Sequence, residues 1–201
     1  MDRTDPDEEA LRSRKIALRR HLITGRMQKN DPERYAAGRS FRDTVLSLPE
    51  AQMAGTVAAY VSIGTEPDTR GLIYALWKRG TYVLLPLLLD DNELDWASYE
   101  GPDSLAPGPR GLLQPTEPPR GVTSVTSADL VIVPALAVDR RGHRLGRGAG
   151  CYDRALARVG AVVPTVALIY DDELLDEVPA GPLDQRVRMA AQPRSGITRL
   201  R

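Results

Sequence analysis

Apolar residues in this chain fall into short continuous runs, separated by stretches whose apolar positions recur at helical spacing. The runs at 56–63, 82–87, 130–138 and 162–169 are rich in Val, Leu, Ile and Ala, the pattern of strands buried on both faces. Between them, 69–79 sets Leu72, Ile73, Leu76 and Trp77 on one helical face and stops at Gly80; 154–159 reads as a further helix. Two helices precede the first run. One covers about 7–25, with Asp5 or Asp7 as its cap and Gly25 as its stop; the other covers 32–48 and ends at Pro49. Residues 94–99 read as a short antiparallel strand, and 171–173 open a brief helical turn. A frayed head over 1–6, a Pro- and Gly-rich surface excursion over 101–121 and an irregular, arginine-rich tail from Pro179 complete one domain spanning 1–201. Strands alternating with helices predict an α/β fold with a mostly parallel sheet covered on both faces, whose ligands collect at the carboxyl ends of the strands.

Two turns lie at such ends, 64–68 and 144–153. The second carries Gly146, Gly148 and Gly150 at alternate positions between a strand and a helix, which lets backbone N–H groups face one point at the positive end of a helix dipole. It matches neither the phosphate loop nor the dinucleotide fingerprint. A glycine-rich turn alone is as often a tight connection as a site, and the dipole contributes only ~0.3–2 kcal/mol to anion binding. Arg144, Arg147 and Asp153 make the difference, since two guanidinium groups and a carboxylate suit a polyphosphate with a metal ion at its edge. Alone, Asp153 reads equally as a first-turn helix carboxylate and Arg147 as a solvated loop charge.

On the first helix, Leu11, Leu18 and Leu22 share a sector, and Lys15 and Arg19 fall inside it rather than opposite, with Arg14, Arg20 and His21. Cations in an apolar stripe either snorkel outward or point into an anion site. Asp68 is a natural N-cap for the helix after the first strand, whereas Glu66 has no such duty and faces where a ligand would lie. Asp139, ahead of Gly142, reads as the first residue of a type I turn that holds the approach to the loop.

Charge balances at 27 acidic and 27 basic residues, so no bulk charge recruits nucleic acid or a membrane surface. Cys151 is the sole cysteine, which excludes an internal disulfide and fits a reducing compartment; it reads as a packing residue. With only His21 and His143 as histidines, no nucleophilic triad and no zinc-ligand spacing emerges. An acidic, polar N-terminus and the lack of a long apolar run predict a soluble, cytoplasmic protein.

Taken in order, these pieces resemble the 5-formyltetrahydrofolate cyclo-ligase (5,10-methenyltetrahydrofolate synthetase) family. The likeness runs through Lys15-Ile16-Ala17-Leu18-Arg19, Glu66-Pro67-Asp68-Thr69, Gly111-Leu112-Leu113-Gln114-Pro115 and, most specifically, all of 133–153. It implies a three-layer α/β/α sandwich like that of sugar-phosphate isomerases and CoA transferases. It also implies a monomeric enzyme using ATP and Mg²⁺ to convert 5-formyltetrahydrofolate, with or without a polyglutamate tail, into 5,10-methenyltetrahydrofolate, ADP and phosphate. By position, Lys15, Arg19 and the loop residues Arg144, Leu145, Gly146, Arg147, Gly148, Ala149, Gly150, Cys151 and Tyr152 would hold ATP. Val61, Glu66, Arg147 and Cys151 would contact the folate, Asp153 would ligate the metal, and Arg147 and Asp153 would carry catalysis. The chain departs from the family at Cys151, often aromatic, at Ala149, sometimes Lys, and at Arg188, where a metal-binding Asp is expected. Asp184 and Asp171 are the candidate replacements for that Asp. The competing readings are a non-catalytic folate- or nucleotide-binding relative and a sugar-phosphate or CoA-type enzyme sharing only the fold.

Overall fold

The computed structural model describes residues 6–201, so the head expected over 1–6 lies outside the described residues except for Pro6, as does the cap expected at Asp5. The first helix, α1 (Pro6–Met27), carries Asp7, Glu8 and Glu9 in its first turn and passes through Gly25 instead of stopping there. An interior glycine costs about 1 kcal/mol, which the burial of Leu22 and Arg26 on either side of it offsets. Helix α2 (Asp31–Leu46) opens on a capping box in which Asn30 and Glu33 satisfy each other's backbone N–H. Pro49, expected only to end that helix, starts another, α3 (Pro49–Met53), at the position where a missing N–H costs nothing.

Next come β1 (Thr56–Ala58), α4 (Arg70–Lys78), β2 (Tyr82–Leu88), β3 (Leu94–Ser98), β4 (Leu105–Pro107) and β5 (Leu113–Pro115). They are followed by β6 (Leu130–Pro134), β7 (Ala137–Asp139), β8 (Arg144–Leu145) and α5 (Cys151–Arg158). The chain ends with β9 (Thr165–Leu168), β10 (Leu174–Leu175), β11 (Met189–Gln192) and β12 (Gly196–Arg199). Seven strands form one sheet in the order β12-β11-β9-β6-β1-β2-β3. Its five inner strands are parallel and its two edges antiparallel, β3 as expected from the sequence.

Alternation along β6 builds the layers. Leu130 and Ile132 face a core shared with Phe41 and Val45 of α2 and Leu72, Ile73 and Leu76 of α4. Val131 and Val133 face the opposite core, with Ala155 and Leu156 of α5 and with Val125. The result is the expected α/β/α sandwich. Helix α1 stands outside it, its Leu22 packed on Leu136, Ala137, Leu145 and Val178 beside the small sheet β10-β7-β8. Among the described residues no helix is long and apolar enough to cross a membrane.

Several elements differ from the sequence reading. The run 56–63 keeps its ladder only to Ala58, and 59–61 stay buried while crossing the strand ends. The run 130–138 breaks after Pro134, which lacks a ladder donor, and β7 joins the small sheet instead. Strand β9 begins only at Thr165, because Val162 is exposed. The tail expected to be irregular supplies β11 and β12. Met189, Ala190 and Ala191 are too few to signal a strand, and pairing with β9 makes them one. The excursion over 101–121 contains the β4–β5 hairpin.

Candidate active site

A cleft of about 890 Å³ opens over the carboxyl ends of β1 and β6, near the upper limit of ordinary ligand sites, roughly 300–1,000 Å³. Every residue from Arg144 to Asp153 lines it, and so do Lys15, Arg19, Val61 and Glu66; of the two candidate replacement carboxylates, Asp184 lines it and Asp171 does not. Helix α1 forms one wall. The stretch after β1 supplies Tyr60, Val61, Ile63 and Glu66, while Arg110 and Leu112 of the excursion also reach the lining.

The two cations in the apolar stripe of α1 point inward. Lys15 Nζ pairs with Asp184, whose Oδ2 also accepts from the Gly181 N–H. Arg19 Nε donates to the Gly146 carbonyl at 2.8 Å. Partial burial pulls the Arg19 guanidinium below its ordinary pKa, against the opposing charges of Asp184 and Asp153. Close approach is possible because Gly148 lies at φ 114°, and a Cβ there would come within 3.3 Å of Arg19 Cζ.

Inside the loop, Arg144 is buried and donates from Nη2 to Asp153 Oδ1 at 2.8 Å and from Nη1 to the Pro134 carbonyl at 3.2 Å; its Nε has no partner. Asp153 Oδ1 also accepts from the Gln185 N–H at 3.1 Å, which leaves Oδ2 outside both bonds. Gly150, left-handed at φ 71°, turns the chain into α5, whose first residue is Cys151. Cys151 is half-buried against the core beneath α5. Tyr152 beside it is half-buried, and desolvation and then Glu66 push its phenol pKa up.

Across the cleft, Glu66 Oε1 accepts from Arg147 Nε at 2.9 Å and Glu66 Oε2 from the Ile63 N–H at 3.0 Å. The carboxylate is 7% exposed and fixed, whereas the Arg147 side chain is 46% exposed. A buried acceptor thus faces a solvent-exposed cation.

Asp139 holds the approach, as its turn signature predicts. It accepts from the backbone N–H groups of Arg141, His143 and Val178 and from the His143 ring. Burial alone would raise its carboxyl, but the His143 and backbone hydrogen bonds outweigh it and hold the pKa below the usual carboxylate range. Asp68 sits one residue ahead of the cap position, which Thr69 takes, and accepts from the Arg70 N–H. Asp171 is occupied with the Arg194–Ser195 turn and lies off the cleft lining, which removes it as a metal candidate. Arg188 is exposed beside β9, also off the lining, and Asp184 is the tail carboxylate that reaches the cleft.

Sequence reasoning missed Arg26 and Tyr60, both buried and both on the cleft. Arg26 was findable. It stands eleven residues after Lys15, only about 20° away around the helix, on the same inward stripe. Tyr60 sits in an apolar run and carries no signal that separates it from core.

A model of the 5-formyltetrahydrofolate cyclo-ligase family matches residues 11–193. A curated protein of Mycolicibacterium smegmatis named 5-formyltetrahydrofolate cyclo-ligase is 38% identical over 193 residues, covering 93% of this chain and 97% of that protein. Its Escherichia coli K12 namesake is 30% identical over 172 residues, 84% of this chain and 91% of the relative. Among solved structures, the Aquifex aeolicus 5,10-methenyltetrahydrofolate synthetase superimposes with a TM-score of 0.80 at 28% identity, covering 93% of each chain.

Proposed function

The chain belongs to the 5-formyltetrahydrofolate cyclo-ligase family, and on that premise we propose that its cleft converts 5-formyltetrahydrofolate to 5,10-methenyltetrahydrofolate at the expense of ATP. One observation carries the assignment of sites. Cations from two distant segments, Lys15 and Arg19 on α1 and Arg144 and Arg147 in the loop, line one cleft with the start of α5, and buried Glu66 lies opposite. The cationic half suits a polyphosphate, which gathers charge-assisted donors and a helix N-terminus. The Glu66 half suits a heterocycle that offers N–H donors.

Arg147 bridges the halves, so it would hold the substrate's formyl group against the terminal phosphoryl group. The formyl oxygen attacks the γ-phosphorus, the bond to the leaving ADP breaks, and the oxygen carries the phosphoryl group. N10 of the folate then bonds to the formyl carbon, phosphate departs and the N10 proton is released. Neither step needs a protein nucleophile. Lys15, Arg19 and Arg144 neutralise and orient the phosphates, and the low-dielectric cleft strengthens each contact.

Among the described residues no three carboxylate, imidazole or thiol groups converge on one point. A Mg²⁺ ion would therefore draw on one or two carboxylates and on phosphate oxygens, its usual habit. Asp153, with Oδ2 outside its bonds to Arg144 and Gln185, and Asp184 fit that donor set. Bound there, the ion would screen phosphate charge. The groups named here assemble a cleft within one chain, and we read the active unit as a monomer.

The test is turnover of purified protein with 5-formyltetrahydrofolate, ATP and Mg²⁺, followed by methenyltetrahydrofolate absorbance. Product from the wild type, lost in Arg147→Ala and in Asp153→Asn with an unchanged circular-dichroism spectrum, supports the reading. Folate binding without any product would leave a non-catalytic relative, and undiminished rates in both variants would reduce the loop to a connector.

A further inference from the structure

Two residues that line the cleft each carry a buried polar atom without a hydrogen-bond partner, Arg26 Nη1 and the Tyr60 hydroxyl. Arg26 is 1% and Tyr60 2% exposed, and both residues contribute to the lining. The guanidinium cannot turn to find a partner. Its Nε and Nη2 grip the two Glu173 oxygens at 2.6 and 2.7 Å, Nη2 also reaches the Ala135 carbonyl at 2.6 Å, and the Tyr170 ring covers it with its centroid 5.4 Å away. Tyr60 lies in a segment whose backbone is pinned where Thr69 Oγ1 donates to the Tyr60 carbonyl at 2.6 Å. Burial and the nearby charge of Glu66 push its phenol well above the ordinary value, with Arg26 opposing, so the hydroxyl keeps its proton and remains a donor.

Buried donors are almost always satisfied, and two without a partner, on residues that line a ligand cleft, call for an acceptor brought by the ligand. We propose that Arg26 and Tyr60 are specificity-determining residues that donate to the ring carbonyl oxygen of the substrate's pyrimidinone and reject an amino group at that position. The proposal rests on the reading that the cleft takes 5-formyltetrahydrofolate. On that reading Glu66, whose charge Tyr60 senses, supplies the complementary acceptor for the ring N–H and amino donors. One edge of the heterocycle is then matched donor to acceptor throughout. An analogue with an amino group in place of the ring oxygen would set donors against a fixed cation, and sites built on such hydrogen bonds discriminate strongly.

Tyr60→Phe removes the hydroxyl and keeps the ring. The expected result is about a tenfold rise in KM for 5-formyltetrahydrofolate, with KM for ATP and the melting temperature unmoved. The 4-amino-4-deoxy analogue of the same folate, titrated by calorimetry, should bind the wild type at least about a hundredfold more weakly than the oxo compound. That ratio should shrink about tenfold in Tyr60→Phe. An unchanged folate KM, or equal losses for oxo and amino ligands, would overturn the proposal and leave Tyr60 as packing, while wild-type turnover would still uphold the cyclo-ligase reading. Conversely, a wild type that makes no product but binds the folate more tightly than Tyr60→Phe would sink the cyclo-ligase reading and keep the assignment of Arg26 and Tyr60. Absence of folate binding by the wild type would sink both.

Discussion

Arg26→Met tests how the far end of α1 is held. The substitution removes three hydrogen bonds from a guanidinium that is 1% exposed and leaves Glu173, 2% exposed, with only the Tyr170 N–H at 2.8 Å. Breaking a buried ion pair from one side costs about 3–5 kcal/mol. For a chain of this size each kcal/mol lowers the melting temperature by about 2–4 °C, so a fall of about 6–20 °C is expected by scanning calorimetry. Removing both charges, in Arg26→Met with Glu173→Met, should recover most of the loss, because no uncompensated ion remains. The sign of the pH dependence follows from Glu173. Burial already holds its carboxyl above the ordinary value against the pull of Arg26, and without Arg26 it rises further. A raised folded-state pKa means protonation favours the fold. The contribution is full below the unfolded value near ~4.3 and is lost as pH rises through the folded one. The deficit of Arg26→Met should therefore be smaller at about pH 4.5 than at pH 7. A loss under about 1 kcal/mol, or a double variant no better than the single one, would refute the reasoning.

Three further outcomes are expected. Asp139→Asn should cost about 2–4 kcal/mol at pH 7, because four hydrogen bonds converge on a fully buried carboxylate. That carboxyl titrates below its usual range, so its stabilisation is full above the unfolded value near ~3.9 and is lost as pH falls through the folded one; melts at pH 7 and 3 should show the gap closing in acid. Gly142→Ala should lose about 2 kcal/mol or more in urea titrations, since its φ is 86° and a Cβ would collide with the Val187 carbonyl oxygen. Gly64→Ala, at φ 55° with nothing within 4 Å, should lose only about 1 kcal/mol. Lys15→Met and Arg19→Met should each raise KM for ATP by about tenfold or more and leave KM for the folate unchanged, as steady-state kinetics would show.

The layers were legible because four of the five inner strands are continuous apolar runs and α4 keeps strict helical spacing, signals that burial on both faces imposes. Legibility ended where pairing rather than composition makes the structure. Nothing in Met189-Ala190-Ala191 announces a strand; β9 recruits it. The break in 130–138 was visible only as Pro134, and where the chain went afterwards depended on β8 and β10, strands of two residues each. The same distinction applies to the cleft. The loop and the α1 stripe were readable because charge sat where apolar residues belong, and Arg26 obeyed that rule on the same face. Tyr60 is an aromatic in an apolar run, and only its unsatisfied hydroxyl marks it.

Arg188 shows how far correspondence by position can mislead in a segment without regular structure. Counted along the tail, it falls where the family resemblance implies a metal-binding carboxylate, which taken alone suggests a damaged site. In the fold its backbone N–H bonds Thr165 and its side chain is exposed beside β9, so its charge has no bearing on the cleft. Four residues earlier, the turn closed by the Gly181 N–H on Asp184 swings that carboxylate onto Lys15, and the Gln185 N–H then caps Asp153. One short irregular stretch thus positions both acidic groups that fit a cation and touches α1 and the glycine loop at once. Its backbone hydrogen bonds, more than the residue type at any one aligned position, determine whether the carboxylate pair is present.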